Sequence, residues 1–125
     1  MRIEQDSIKP IYLQIAEGIE DDILKGILLE DEQAYSQYQI SKQFNINPAT
    51  AAKGINLLVT EGILYKKRGM GMHVSKDAKN LIQDKRKINF FSNMLKELLM
   101  EAKKLNISKE EIKQMLDGIE EGETT

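Results

Sequence analysis

Apolar residues recur at helical spacing near the start of the chain. Ile11, Ile15, Ile19, Ile23 and Leu24 form one stripe, widened by Tyr12 and Ala16. The pattern predicts a first helix over residues 10–26, after a short extended lead-in at 3–7. A connector follows over 27–34, with 27–29 expected as a minimal strand. Ser36 with Gln39 three residues on has capping-box spacing, flanked by Tyr35 and Ile40 as a hydrophobic staple. A second helix is therefore expected over 36–44, with Ile40 and Phe44 inward. Asn47-Pro48 opens a third, because Asn caps well and Pro suits the first helical position. Ala51, Ile55, Leu58 and Val59 make its apolar face. Ala49, Thr50, Ala52, Lys53, Asn56 and Thr60 fall on the other side, and Gly62 ends it.

Residues 63–65 and 72–74 read as two short strands around a glycine-containing turn. From residue 77 the period returns to that of a helix. Leu81, Ile88, Phe91, Leu95, Leu98, Ala102 and Leu105 repeat at threes, fours and sevens. Met94 and Leu99 broaden this stripe beyond a two-stranded coiled-coil seam. A break is expected at Asn106. Ser108 and Glu111 then form a second capping box, with Ile107 and Ile112 as its staple. The last helix carries Ile112, Met115, Leu116 and Ile119, and residues 122–125 form a tail. No internal repeat or low-complexity linker appears.

Two short helices, a three-residue turn and a hairpin make a winged helix-turn-helix. The expected fold is mainly α with a small β-hairpin wing. The winged helix occupies residues 1–76, and a two-helix segment occupies 77–125. A two-helix hairpin of that size buries its own apolar face poorly. It needs its own domain or a second chain as partner. The expected contact stripe is Leu81, Ile88, Phe91, Leu95, Leu98, Ala102, Leu105, Ile112 and Leu116.

Charge changes the picture by its distribution. The formal net charge is −2. Residues 4–32 hold Glu4, Asp6, Glu17, Glu20, Asp21, Asp22, Glu30, Asp31 and Glu32 against only Lys9 and Lys25. Residues 33–76 hold Lys42, Lys53, Lys66, Lys67, Arg68 and Lys76 against only Glu61. Charges farther than ~10 Å are largely screened at moderate salt, so the local sign governs contact with a polyanion. The excess lies on the recognition elements, which points to double-stranded DNA and away from a winged helix used only for protein contact.

The side chains for readout are those at the start of the third helix. Ala49, Thr50 and Lys53 project toward a major groove, and Asn47 caps that end. Gly54 costs ~1 kcal/mol against Ala inside a helix; it permits close approach, although Ala is small enough for most such contacts. Ser36 and Gln37 sit at a helix N-terminus suited to phosphate, and capping alone also accounts for Ser36. Lys66, Lys67 and Arg68 with Gly69 and Gly71 form a positive tip. An Arg at such a tip can enter the minor groove. A nucleotide cradle would need a helix after the glycines, and a strand follows instead.

Other chemistry is sparse. With no Cys, disulfides and thiol catalysis are excluded. His73, the only histidine, has no ligand spacing around it and reads as a partly exposed strand residue. The acidic run Glu20-Asp21-Asp22 reads as a solvated helix face. No nucleophile–base pair is visible, so neither an enzyme, a metal nor a cofactor is expected. No apolar run reaches the ~20 residues of a membrane span, and the N-terminus has no signal core. These features place the protein in the cytoplasm.

The segment PIYLQIAEGIEDDILKGIL, the helix-turn-helix and RGMGMHV together resemble the DNA-binding half of the GntR family of bacterial transcription regulators. Asn47-Pro48-Ala49-Thr50, Lys53, Leu57, Gly62 and Gly69-x-Gly71 look like its short YtrA-like branch. The likeness covers residues 8–75. It implies a homodimer through the C-terminal segment, an inverted-repeat operator, and repression of an adjacent transporter operon. Departures are visible. Positions where many members carry arginine hold Tyr38, Pro48 and Ala52. The usual Gly-Asp and Leu-Pro of the connector are Asp31-Glu32 and Ala34-Tyr35. Other branches append a large ligand-binding domain. Here an effector, an amphiphile by the chemistry of the side chains, would sit between helices at the dimer interface near Phe90, Phe91, Met94 and Met100, residues that dimer core also explains.

Overall fold

The computed structural model describes residues 1–119; the tail expected at 122–125 lies outside them. The chain forms two compact units, Met1–Asp84 and the segment from Lys85 onward.

The first unit is built on α1 (Ile11–Leu24), α2 (Gln37–Phe44) and α3 (Pro48–Thr60). The extended lead-in expected at 3–7 is instead a turn, closed by Ser7 N–H donating to Glu4 O at 3.4 Å, and only Pro10 stands extended before α1. Ser36 caps α2 as the spacing predicts. Its Oγ accepts from the Gln39 N–H at 3.1 Å, and its own N–H donates to Gln39 Oε1 at 2.8 Å. Asn45 takes the left-handed conformation that ends α2, and Asn47 Oδ1 accepts the Ala49 N–H at 2.8 Å. Helix α3 ends at Gly62, whose φ of 77° suits a residue without Cβ.

Strands β1 (Leu64–Lys67) and β2 (Gly71–Val74) pair antiparallel, Leu64 opposite Val74 and Lys67 opposite Gly71. They reach nearer the tip than expected, so Lys66 and Lys67 lie on β1 itself. The turn is closed by Met70 N–H donating to Lys67 O at 2.9 Å. Gly69 supplies the positive φ, 74°, at its third position.

The minimal strand expected at 27–29 does not form. Ile27 and Leu28 instead donate their N–H groups to Asp22 O and end α1. Pairing occurs later in the connector. Asp31 N–H donates to Val74 O, Val74 N–H to Glu32 O, and Ala34 N–H to Met72 O, each at 2.8–2.9 Å, with Gln33 bridged to His73. The connector thus covers the outer edge of β2.

The core joins Ile15, Ile19 and Ile23 of α1 to Ile40, Ala51, Ile55 and Leu58, closed by Ile63, Leu64 and Val74. Each such Ile, Leu or Val side chain contributes about 1.5–3 kcal/mol when fully buried. Val59 is only half-buried. Helix α4 (Ala78–Asn89) adds Ala78 and Ile82 to this core, so the unit runs past the expected boundary at 76 to Asp84.

Three polar readings change. His73 is buried rather than partly exposed, and its ring lies 5.9 Å from that of Tyr65. Glu20 and Asp22 are 2% and 5% exposed, so that acidic run is not a solvated face. Asp22 Oδ2 accepts the Tyr35 hydroxyl at 2.6 Å. Tyr35 packs against the core as a staple residue does, while its phenol answers a buried carboxylate.

In the second unit a π-helical turn (Phe90–Met94) leads into α5 (Leu95–Lys104). Leu95 N–H donates to Phe90 O, five residues back. The long amphipathic helix is therefore interrupted where the pattern showed no break. Asn106 is left-handed, and Ser108 caps α6 (Lys109–Gly118) in a capping box with Glu111. Ala102 is buried beside Ile107 and Ile112. Ile88, Phe91, Leu95, Leu98, Leu105, Met115 and Leu116 remain exposed.

Candidate nucleic-acid interface

The sequence-predicted contact residues fall into three groups on the first unit. At the start of α3, Ala49 and Lys53 are exposed and Thr50 is half-buried. Asn47 uses its Oδ1 in the cap, which leaves its amide N–H groups for another acceptor. At the start of α2, Ser36 is exposed and Gln37 half-buried. The Ser36 Oγ accepts in the capping box, so its O–H remains to donate; capping and phosphate contact use different halves of one hydroxyl. On the hairpin, Lys66, Lys67, Arg68, Gly69 and Gly71 are all exposed. Among the described residues none of the three cations is held in an ion pair. Their charge is thus not neutralised from within.

Two residues near these groups were not among the expected contacts. Tyr38, in the first turn of α2, is 70% exposed. Tyr12, counted as part of the α1 apolar stripe, holds its ring 4.0 Å beneath the Lys53 Nζ. The i, i+3, i+4 pattern gave no sign of that pairing, because it crosses between helices.

Gly54 explains how α1 comes so near. A Cβ at that position would lie 2.7 Å from Tyr12 O and 3.0 Å from the Ile15 side chain. Real Cβ contacts are not that short, so only Gly permits this spacing. The residue serves the packing of α3 on α1.

Among the described residues no group of His, Asp and Glu could hold a metal ion, and no helix is long and apolar enough to cross a membrane.

A capped helix-turn-helix followed by a basic hairpin defines the winged-helix class of DNA-binding regulators. No protein-family model matches the chain. Individual proteins do. It is 32% identical over 113 residues to the HTH-type transcriptional regulator YhcF of Bacillus subtilis, covering 90% of this chain and 89% of that one. It is 28% identical over 119 residues to the transcriptional repressor YtrA of the same organism, covering 95% and 91%. Identity with the repressor NagR, also of Bacillus subtilis, is 38% over 76 residues, but that covers only 31% of NagR. A GntR-family regulator from Bacteroides thetaiotaomicron superimposes with a TM-score of 0.73 at 33% identity, over 86% of this chain and 94% of that one. The AraR DNA-binding domain, solved with operator ORR3, matches 60% of this chain and 90% of its own, with a TM-score of 0.52 and 29% identity. The chain belongs to the GntR family of transcriptional regulators. Its relatives are regulators of transcription, not enzymes.

Proposed function

We propose that the protein is a dimeric repressor that reads an inverted-repeat operator upstream of a transporter-type operon. The observation that carries the DNA reading is the unneutralised Lys66, Lys67 and Arg68 hairpin following directly on a capped α3. Phosphate contacts at the wing and the α2 N-terminus set the register. Thr50, Lys53 and Ala49 read base edges. With arginine absent at 38, 48 and 52, part of the specificity rests on DNA shape. The protein acts in the cytoplasm, where its operator is.

Self-association through the second unit is supported by its uncovered apolar side chains. Leu98, Leu105, Met115 and Leu116 stay exposed around an almost wholly apolar groove of ≈ 280 Å³ between α5 and α6. Monomers seldom leave such a surface to solvent. The similarity to YtrA, a repressor, supports the sign of regulation. Footprinting the promoter upstream of its own gene, with a gel shift across a salt series, tests the reading. A protected inverted repeat whose affinity falls steeply with salt is the expected result. Binding unaffected by salt, or no protection, refutes it.

A second reading, effector control, draws on a different groove. Leu99, Met100, Ile107 and Ile112 floor a cavity of ≈ 520 Å³ rimmed by Lys96, Lys103 and Lys109, with no carboxylate in its lining. Of the residues first expected near a ligand, Met100 lines this groove, and Phe90, Phe91 and Met94 do not. An apolar floor under a lysine rim suits an anionic amphiphile. Dodecanoate should release the protein from its operator, while dodecyltrimethylammonium should not. Equal response to both, or to neither, removes the effector role.

A further inference from the structure

Lys53 is the one exposed cation on the α3 face that carries Ala49 and Thr50. A free lysine there would have a long, mobile stem and would lose that freedom on binding. This lysine is not free. Its Nζ lies 4.0 Å from the centroid of the Tyr12 ring, within the range of a cation–π contact. The ring reaches it because α1 and α3 touch at Gly54, the neighbour of Lys53, where a Cβ would collide with Tyr12 O. Tyr12 is half-buried and Lys53 exposed, so the pair lies at the surface where α1 meets α3.

We infer that Tyr12 is a positioning residue for DNA readout, holding the Lys53 ammonium in place before DNA arrives. The ring face occupies one side of the ammonium. An ammonium has three N–H donors, and those turned from the ring are left for guanine O6 and N7 or a phosphate oxygen. The ring attracts the cation through its quadrupole and accepts no strong hydrogen bond, so it does not use up the donors that DNA needs. Helix α1 therefore supports the recognition helix in a second way, beyond supplying core. The Tyr12 hydroxyl makes no hydrogen bond among the described residues, so the aromatic face is the part that acts.

The inference rests on Lys53 touching DNA, and a double-mutant cycle on the full chain separates the two claims. The probe is the duplex that the wild-type chain selects from random-sequence DNA. Lys53→Ala, Tyr12→Leu, Tyr12→Phe and the Lys53→Ala/Tyr12→Leu double variant are titrated against it. Tyr12→Leu should weaken binding about two- to five-fold per half-site, the worth of an exposed cation–π contact. Tyr12→Phe should bind as the wild type does. In the Lys53→Ala background, Tyr12→Leu should add no further loss. If Lys53→Ala changes neither affinity nor selected sequence, Lys53 does not touch DNA and the inference falls with it. If Lys53→Ala weakens binding but Tyr12→Leu adds its full effect on top, Lys53 stands and the Tyr12 role is overturned. A measurement on the unmutated chain guards against a Tyr12→Leu variant that does not fold. The Lys53 ε-methylene protons should show an upfield ring-current shift, kept in Tyr12→Phe. Resonances at random-coil positions would overturn the proposal.

Discussion

An alanine usually strengthens a helix by ~1 kcal/mol over glycine. At position 54 the sign should reverse. The new Cβ would meet backbone, Tyr12 O at 2.7 Å, which cannot swing aside as a side-chain end can. Gly54→Ala should destabilise the protein by about 1–3 kcal/mol, the usual cost of overpacking, as read from urea unfolding. An unchanged or raised midpoint would show that the α1–α3 spacing is loose. Tyr35 makes a second residue-scale case. Burial first, then the hydrogen bond to Asp22 and its charge, push the phenol pKa up from 10.0 to about 12. The fold thus favours the neutral phenol. Its stabilising effect is whole below about pH 10 and is lost as pH rises toward about 12. Tyr65, raised by its bond to Asp31, titrates in the same direction, so the comparison must be between variants. Tyr35→Phe removes the donor to Asp22 and should cost about 1–3 kcal/mol at neutral pH. Its stability should also fall less than that of the wild type as pH rises from 10.0 to about 12, which thermal melts at a series of pH values through that window would show.

At the scale of elements, the hairpin is the part whose role can be removed without touching the core. Lys67 ends β1 and Arg68 begins the turn, both exposed. Arg68→Ala and Lys67→Ala should each weaken operator binding and lower the salt dependence by roughly one counterion per lost phosphate contact. Melting temperature should not change. Unchanged affinity and salt slope in both variants would take the wing out of the mechanism. The helices differ from the hairpin in how much of them was legible in the sequence. Caps act within three residues, so Ser36 with Gln39, Asn47 with Pro48, and Ser108 with Glu111 announced the starts of α2, α3 and α6. The hairpin ends depend on cross-strand pairing and came out longer than the alternation indicated. The π-helical turn at Phe90–Met94 breaks a stripe that read as unbroken, since the apolar positions 88, 91, 95 and 98 run through it without a gap.

For the whole molecule, the boundary between units decides how to test self-association. Ile82 is fully buried in the first unit while Leu81 beside it is 42% exposed. Cutting the chain after Lys76 would strip Ala78 and Ile82 from the core, at a cost of at least the about 1.5–3 kcal/mol that a buried Ile contributes. A cut after Asp84 spares them. The 1–84 fragment should fold as a monomer and bind a half-site. It should lose about 10²–10⁴ in affinity for the full operator, the usual gain from linking two modules. In the intact chain, Leu95→Asp with Leu98→Asp places charge on side chains already partly exposed, so the unit itself should fold. Sedimentation should then show a monomer. A wild-type chain that is monomeric at micromolar concentration, or a fragment that binds the inverted repeat as tightly as the whole, would refute the dimer.

What the sequence determined by itself was everything governed by near neighbours. Apolar periodicity set the helices, caps set their starts, and glycine and asparagine marked their ends. The run Lys66-Lys67-Arg68 with its glycines identified the wing, because these signals act between residues a few positions apart. Tertiary structure decided what depends on who lies opposite. His73, Glu20 and Asp22 carry polar side chains and read as surface, yet packing buries them, and partners such as Tyr35 make that tolerable. The connector became a cover for β2 because free backbone groups on that edge needed partners. Ile82 rather than Leu81 turned inward because the phase of α4 is set by the core it meets. Lys53 found Tyr12 because Gly54 let two helices approach. Each of these is a contact between segments far apart in the chain, and side-chain spacing along one segment carries no record of the other.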